Sequence, residues 1–289
     1  MRANALASRR RLAPYMLTFP GGMWLLLFFI VPLVSVLSLS LQTGNYIEGF
    51  RLTWNVGIYW SALAEYHTQF ARSFIYGAVS TLAALGIAYP VSYWIAFRGG
   101  RHKSTYLFLI LLPFFVSFVI RTLAWQFILS DEGIVLGTLK AWHLLPQDTH
   151  LLSTSFAVIA GLTYNELAYM ALPVYVALEK IDRQVIEAAS DLYASKKEVF
   201  LRVILPLSSP GIFAGVLLVF VTNTGDYLAA SILGGPGTTM IGNIIQTQYL
   251  LNADYPMASA LSFMLMAAML VAMYLYARTF GARSIQEYV

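Results

Sequence analysis

Long apolar runs broken by short polar segments set the pattern of this chain. A helix that crosses a membrane needs roughly 20 mostly apolar residues. Six stretches meet that requirement, at about 14–41, 69–97, 105–130, 153–178, 209–233 and 256–279. The connections between them fall at 42–68, 98–104, 131–152, 179–208 and 234–255. Pro32, Pro90, Pro113 and Pro173 lie inside the apolar runs. Membrane helices tolerate proline where neighbouring helices or water satisfy the freed carbonyls. The pattern predicts an all-α, polytopic membrane bundle of about six transmembrane helices. No Gly/Ser-rich linker, low-complexity tract or internal repeat interrupts it, so a single domain over 1–289 is expected.

Composition supports this reading. Of the 289 residues, 58% are hydrophobic and 11% charged, against about 25% charged in soluble domains. Cysteine is absent, which excludes disulfides and Cys-based metal sites. His67, His102, His143 and His150 are scattered without ligand spacing, so no metal site is expected. The net charge of +4 is better explained by membrane orientation than by nucleic acid. With the N-terminus inside, 14 of the 18 Lys and Arg fall in or beside 1–13, 98–104, 179–208 and 280–289. The exceptions are Arg51, Arg72, Arg121 and Lys140. The positive-inside rule then places both termini in the cytoplasm. Ser8-Arg9-Arg10-Arg11 before an apolar run resembles a twin-arginine leader. That run is twice the usual signal length and lacks a convincing cleavage site, so a retained first helix is expected.

The inside segment 179–208 is long, charged and amphipathic. Val185, Ala189, Leu192 and Tyr193 share one helical face, and Val199, Phe200, Val203 and Ile204 form another. Ser195 and Glu198 have the spacing of a capping box. Two short helices with a break near 194–195 are predicted, with Pro206 and Pro210 ending the second. Taken by spacing alone, the pair serves equally well as an ordinary surface cover for the bundle floor.

The stretch Glu187-Ala188-Ala189-Ser190-Asp191-Leu192-Tyr193-Ala194-Ser195, with Leu205-Pro206 and Pro210-Gly211-Ile212 after it, resembles the "EAA" loop of ABC-importer permeases. Its position between the fourth and fifth of six helices also matches. The resemblance implies a coupling helix that docks on a separate ATPase, with Glu187, Ala188, Ala189, Asp191, Leu192, Ala194 and Ser195 as contact residues. It further implies a second permease subunit (a different chain or a second copy), two ATPase subunits and an extracytoplasmic substrate-binding protein. The setting is the inner membrane of a prokaryote. ATP and Mg would then sit on the ATPase, with no cofactor bound by this chain. The family pattern has glycine where this chain has Tyr193. A left-handed tyrosine there would cost about 1–2 kcal/mol, or the turn closes differently. Leu112-Pro113-Phe114-Phe115-Val116, Ile120-Arg121-Thr122-Leu123-Ala124-Trp125, Gly225-Asp226-Tyr227 and Leu233-Gly234-Gly235-Pro236 resemble the spermidine/putrescine-type permeases. The same branch contains permeases for other small solutes.

No phosphate-binding GxxxxGK[ST] sequence occurs, and no GxSxG elbow or paired His/carboxylate arrangement. Nothing in the chain supports an enzyme active site. Ionisable residues within spans are costly and usually functional. Three stand out, Arg121, Glu166 and Asp226, accompanied by Trp125, Tyr164, Asn165, Asn223 and Tyr227. They could line a substrate path, with carboxylates and aromatic faces suiting a cation. Equally, Arg121 could pair with one carboxylate and lock the bundle. The outer-loop aromatics Tyr46, Phe50, Trp54, Tyr59, Trp60 and Tyr66 fit a membrane-interface belt, with some free to contact a binding protein. Other readings are a secondary transporter with Glu166 or Asp226 as its proton site, and a membrane scaffold without transport.

Overall fold

A computed structural model describes residues 18–45 and 47–281. The basic residues Arg2, Arg9, Arg10, Arg11 and Arg283, Tyr46 and both termini lie outside the described residues. The described chain divides into two compact units.

The first unit holds the described residues up to Glu65, together with Thr247–Met264. It opens with α1 (Thr18–Ser40), which is apolar on all sides, with Phe19, Trp24, Phe28 and Phe29 exposed. Such a helix suits lipid or another helix, not water. An unexpected hairpin follows, β1 (Gln42–Asn45) against β2 (Gly49–Leu52), in antiparallel register Gln42↔Leu52 and Gly44↔Phe50. The Asn45 side chain accepts from the amides of Ile47 and Glu48, an Asx turn that closes the hairpin. Phe50 meets the edge of Tyr255 at 5.4 Å.

The second unit comprises Tyr66–Gln246 and the described residues from Leu265. The helix α2 (Gly57–Arg98), whose residues up to Glu65 belong to the first unit, starts well before the expected 69 and carries a non-helical residue at Tyr66. A bent pair follows, Gly100–Phe115 with α3 at Lys103–Leu111, then Phe118–Ala141 containing α4 (Phe118–Leu129) and α5 (Ile134–Ala141). Next come α6 (Ser155–Asn165), α7 (Leu167–Glu179), α8 (Arg183–Asp191), α9 (Lys196–Gly225), α10 (Leu228–Leu233) and α11 (Ile241–Gln246). The last helix, α12 (Tyr255–Phe280), has residues in both units.

The chain is mostly helical, as expected. Among the described residues α1, α2, α9 and α12 are each long and apolar enough to cross a membrane. The bent pair makes a fifth crossing if its two arms count as one, so helix length and composition give four or five crossings where about six were expected. The expected span 105–130 bends by 91°. Pro113 sits in a tight turn at Leu112–Phe115, and Val116 and Ser117 are extended. The expected span 153–178 is present as two short helices because the backbone leaves helical geometry at Glu166 (φ −107°, ψ 5°). The expected span 209–233 begins earlier, at Lys196, and breaks at Asp226. Pro206 and Pro210 therefore lie inside α9 and do not end a helix. A wide turn at Phe200–Ile204, in which the Leu205 amide reaches back to the Phe200 carbonyl, precedes Pro206. It loosens the ladder where the proline ring and missing N–H would strain a regular helix.

The core of this unit joins α2, α7 and α9 through Ala84, Ala88, Met170, Val174, Leu178, Ile204 and Val219. Close approach needs small residues, as between membrane helices generally. Gly211 lies against the Pro173 carbonyl and Gly215 against Met170, and a Cβ at either would collide.

Candidate functional site

Two regions carry the residues singled out above. The first is the segment leading into α9. Asp182 caps α8, its side chain accepting from the Gln184 amide at 2.9 Å. Ile186, Ala189 and Ala194 pack against the core, so α8 is seated on the bundle. This differs from the expected apolar face. Of Val185, Ala189, Leu192 and Tyr193, only Ala189 turns inward, while Leu192 is 83% and Tyr193 98% exposed. Glu187, Ala188, Asp191 and Ser195 line the outer side of the segment.

The turn after α8 resolves the question posed by Tyr193. Its φ is +61°, the left-handed conformation. The Ala194 amide reaches the Ala189 carbonyl at 3.3 Å, so the turn closes as a glycine would close it. The predicted capping box is present. The Ser195 hydroxyl accepts from the Glu198 amide at 3.3 Å, and Glu198 accepts from the Ser195 amide at 2.9 Å. One contact had no sequence signal. Lys103 donates to both carboxylate oxygens of Glu179 at 2.8 Å, tying the start of α3 to the end of α7. A polar cleft of about 580 Å³ lies beside that bridge, lined by Lys103, Glu179, Asp182, Arg183 and Glu187 among others.

The second region is a polar layer inside the apolar unit. Arg121 is only 8% exposed, yet forms no salt bridge among the described residues. Its Nε donates to Asn165 Oδ1 at 3.0 Å, and its Nη2 reaches the Asn165 carbonyl at 3.5 Å. Its Nη1 donates to the Pro113 carbonyl at 3.3 Å, and the guanidinium lies 4.6 Å from the Phe114 ring centre. The expected alternative, a lock between Arg121 and a carboxylate, is replaced by a link between two helix breaks. One is the bend after Pro113 and the other the break after Asn165. Asn165 in turn donates to the Thr122 hydroxyl at 3.0 Å.

Asp226 ends α9 and starts α10, its Oδ1 accepting from the Ala229 amide at 2.7 Å. Asn223 is buried and donates to Ser80 Oγ at 2.9 Å. Tyr227 is exposed, and its carbonyl accepts from Asn243 at 2.7 Å. Trp125 and Tyr164 form a ring pair at 5.3 Å. Glu166 is 8% exposed and its Oε2 has no hydrogen-bond partner. The Thr222 hydroxyl lies beside the Glu166 carboxyl, with Asp226 and Arg121 near enough to act on its charge. Thr222 already shares its proton with the carbonyls of Leu218 and Val219. Sequence reasoning did not single out Ser80 or Thr222, small hydroxyls within apolar helices. Among the described residues no cluster of three metal-ligating side chains exists.

These features meet a clear pattern of similarity. Residues 57–280 match the family model described as the inner membrane component of binding-protein-dependent transport systems. The chain belongs to that family, and it is a permease subunit of an ABC importer, not itself an enzyme. It is 34% identical to the spermidine/putrescine transport system permease protein PotB of Haemophilus influenzae over 258 residues, 88% of this chain and 90% of that one. The PotB protein of Escherichia coli K12 is 32% identical over 256 residues, covering 88% and 93%. The fold resembles a bacterial ABC transporter involved in import of the acidic polysaccharide alginate, with a TM-score of 0.73 at 18% identity and 98% and 99% coverage.

Proposed function

We propose that this permease forms half of a membrane pore that imports a small aliphatic amine of the polyamine type. The observation that carries the reading is the 34% identity to a spermidine/putrescine permease over nearly the whole chain. Two carboxylates within the apolar unit, Glu166 and Asp226, support it, and they act on each other's charge. In this proposal these residues and Arg121 border the path. The whole of 1–289 acts as one transmembrane domain with both termini in the cytoplasm.

Energy enters at α8. We assign Glu187, Ala188, Ala189, Asp191, Leu192, Ala194 and Ser195 to the contact with an ATPase subunit that holds ATP and Mg. A second permease subunit, a second ATPase copy and an extracytoplasmic binding protein complete the transporter. Leu192 and Tyr193 protrude as an apolar tip, a shape suited to a groove on the ATPase. Loaded binding protein docks outside, ATP closes the ATPase pair, and α8 passes that motion through Ile186 and Ala189 to the core of α7 and α9.

Changing Glu187 to Lys tests the assignment. Uptake should be lost, or the ATPase released from the membrane, with the permease inserted normally. Normal uptake with normal ATPase association would refute it.

A further inference from the structure

The three ionisable residues of the polar layer are not equivalent. Arg121 is saturated, with Asn165 and Pro113 as acceptors and the Phe114 ring beneath it. One oxygen of Asp226 holds the amide of Ala229, fixing the start of α10. Of the three, only Glu166 is buried with a side-chain oxygen, Oε2, that meets no partner, although the Thr222 hydroxyl stands beside the carboxyl. It stands at the break between α6 and α7, in the cap position of α7, yet its side chain makes no capping bond. A buried acceptor left without a donor is rare and calls for an explanation, and an absent ligand is one.

We propose that Glu166 is the specificity-determining residue of this permease, its carboxylate taking a primary ammonium group of an aliphatic amine at the α6–α7 break. The inference rests on the amine-import reading above.

The chemistry of the site selects the ligand class. An ammonium group brings three N–H donors and a positive charge, which matches an acceptor short of donors. Asp226 nearby adds a second negative group. An anion would meet both carboxylates, while the Arg121 charge is already directed at backbone and amide oxygens. A break in a membrane-spanning segment is also where transporters generally place substrate and ion sites. Arg121 then acts as a positioning residue, since it holds Asn165, the neighbour of Glu166, at the end of α6.

The test uses the complete transporter in vesicles, with labelled putrescine and spermidine as probes. The isosteric variant Glu166→Gln should insert at wild-type abundance and stay assembled with the ATPase. Its uptake should fall about tenfold or more, the scale of losing a hydrogen bond to a charged group. Glu166→Asp keeps the charge at a shorter reach and should raise KM with little change in maximal rate. Uptake by Glu166→Gln close to wild type would overturn the inference and leave the amine-import reading intact. Failure of both variants to accumulate would make Glu166 a folding residue and also overturn it. A wild-type transporter that takes up neither amine would overturn the amine-import reading together with this one.

Discussion

Arg121 shows how a buried cation is satisfied here without a counter-ion. Its planar fork reaches Asn165 and the Pro113 carbonyl while its face covers Phe114. Lysine cannot make the fork and the stack together. Arg121→Lys should therefore destabilise the protein by roughly 1–3 kcal/mol, read as a lower midpoint in detergent thermal unfolding. Asn165→Leu should cost a similar amount, about 1–3 kcal/mol, because it removes the acceptor of the Arg121 Nε while the Pro113 and Asn165 carbonyls remain. The absence of an Arg121–Asp226 pair gives a further expectation. Combining Arg121→Gln with Asp226→Asn should not restore abundance or uptake, and rescue by the double change would show that the pair forms. The sequence was enough to flag Arg121, Glu166 and Asp226 as costly residues within apolar runs. It could not supply their partners. The Pro113 carbonyl becomes available only because the chain bends after it, and the cap made by Asp226 exists only because α9 stops there.

At the scale of elements, local signals were legible and tertiary ones were not. The capping box at Ser195 and Glu198 depends on residues three apart and forms as the spacing predicted. The stop assigned to Pro206 and Pro210 did not occur: a wide turn eases the helix into Pro206, and Pro210 lies inside the regular helix that follows. The inward face of α8 was misassigned for a related reason. Val185 and Leu192 have the right spacing for burial, but the bundle meets the helix from the side of Ile186 and Ala189. Tyr193 is held left-handed by the turn that joins α8 to α9. Tyr193→Gly should relieve about 1–2 kcal/mol of backbone strain, offset in part by the freedom glycine gains when unfolded. A slightly higher unfolding midpoint is expected, and a marked fall would show that the ring itself stabilises the turn. Gly211→Val should do the reverse. Its side chain would strike the Pro173 carbonyl and push α7 from α9, at a cost of about 1–3 kcal/mol or more, seen as reduced membrane abundance.

For the whole molecule, the basic residues predict an orientation that labelling can check. The chain has no cysteine, so single cysteines report cleanly. An impermeant thiol reagent applied from outside should miss a cysteine at position 100 and modify one at 145. The fold class was readable because apolar length decides it. The interruptions within the apolar runs were not readable, because the bends at Val116–Ser117 and Glu166 arise from packing and proline geometry, not from average hydropathy. What drives transport is the central claim, and a proton-coupled carrier built on Glu166 or Asp226 is its sharpest rival. The most direct measurement is uptake of labelled spermidine into vesicles containing the complete transporter, with ATP supplied on the ATPase side. Uptake should require ATP and the binding protein, stop with a non-hydrolysable analogue, and ignore a proton ionophore. Uptake that continues without ATP and collapses when the proton gradient is dissipated would contradict the account.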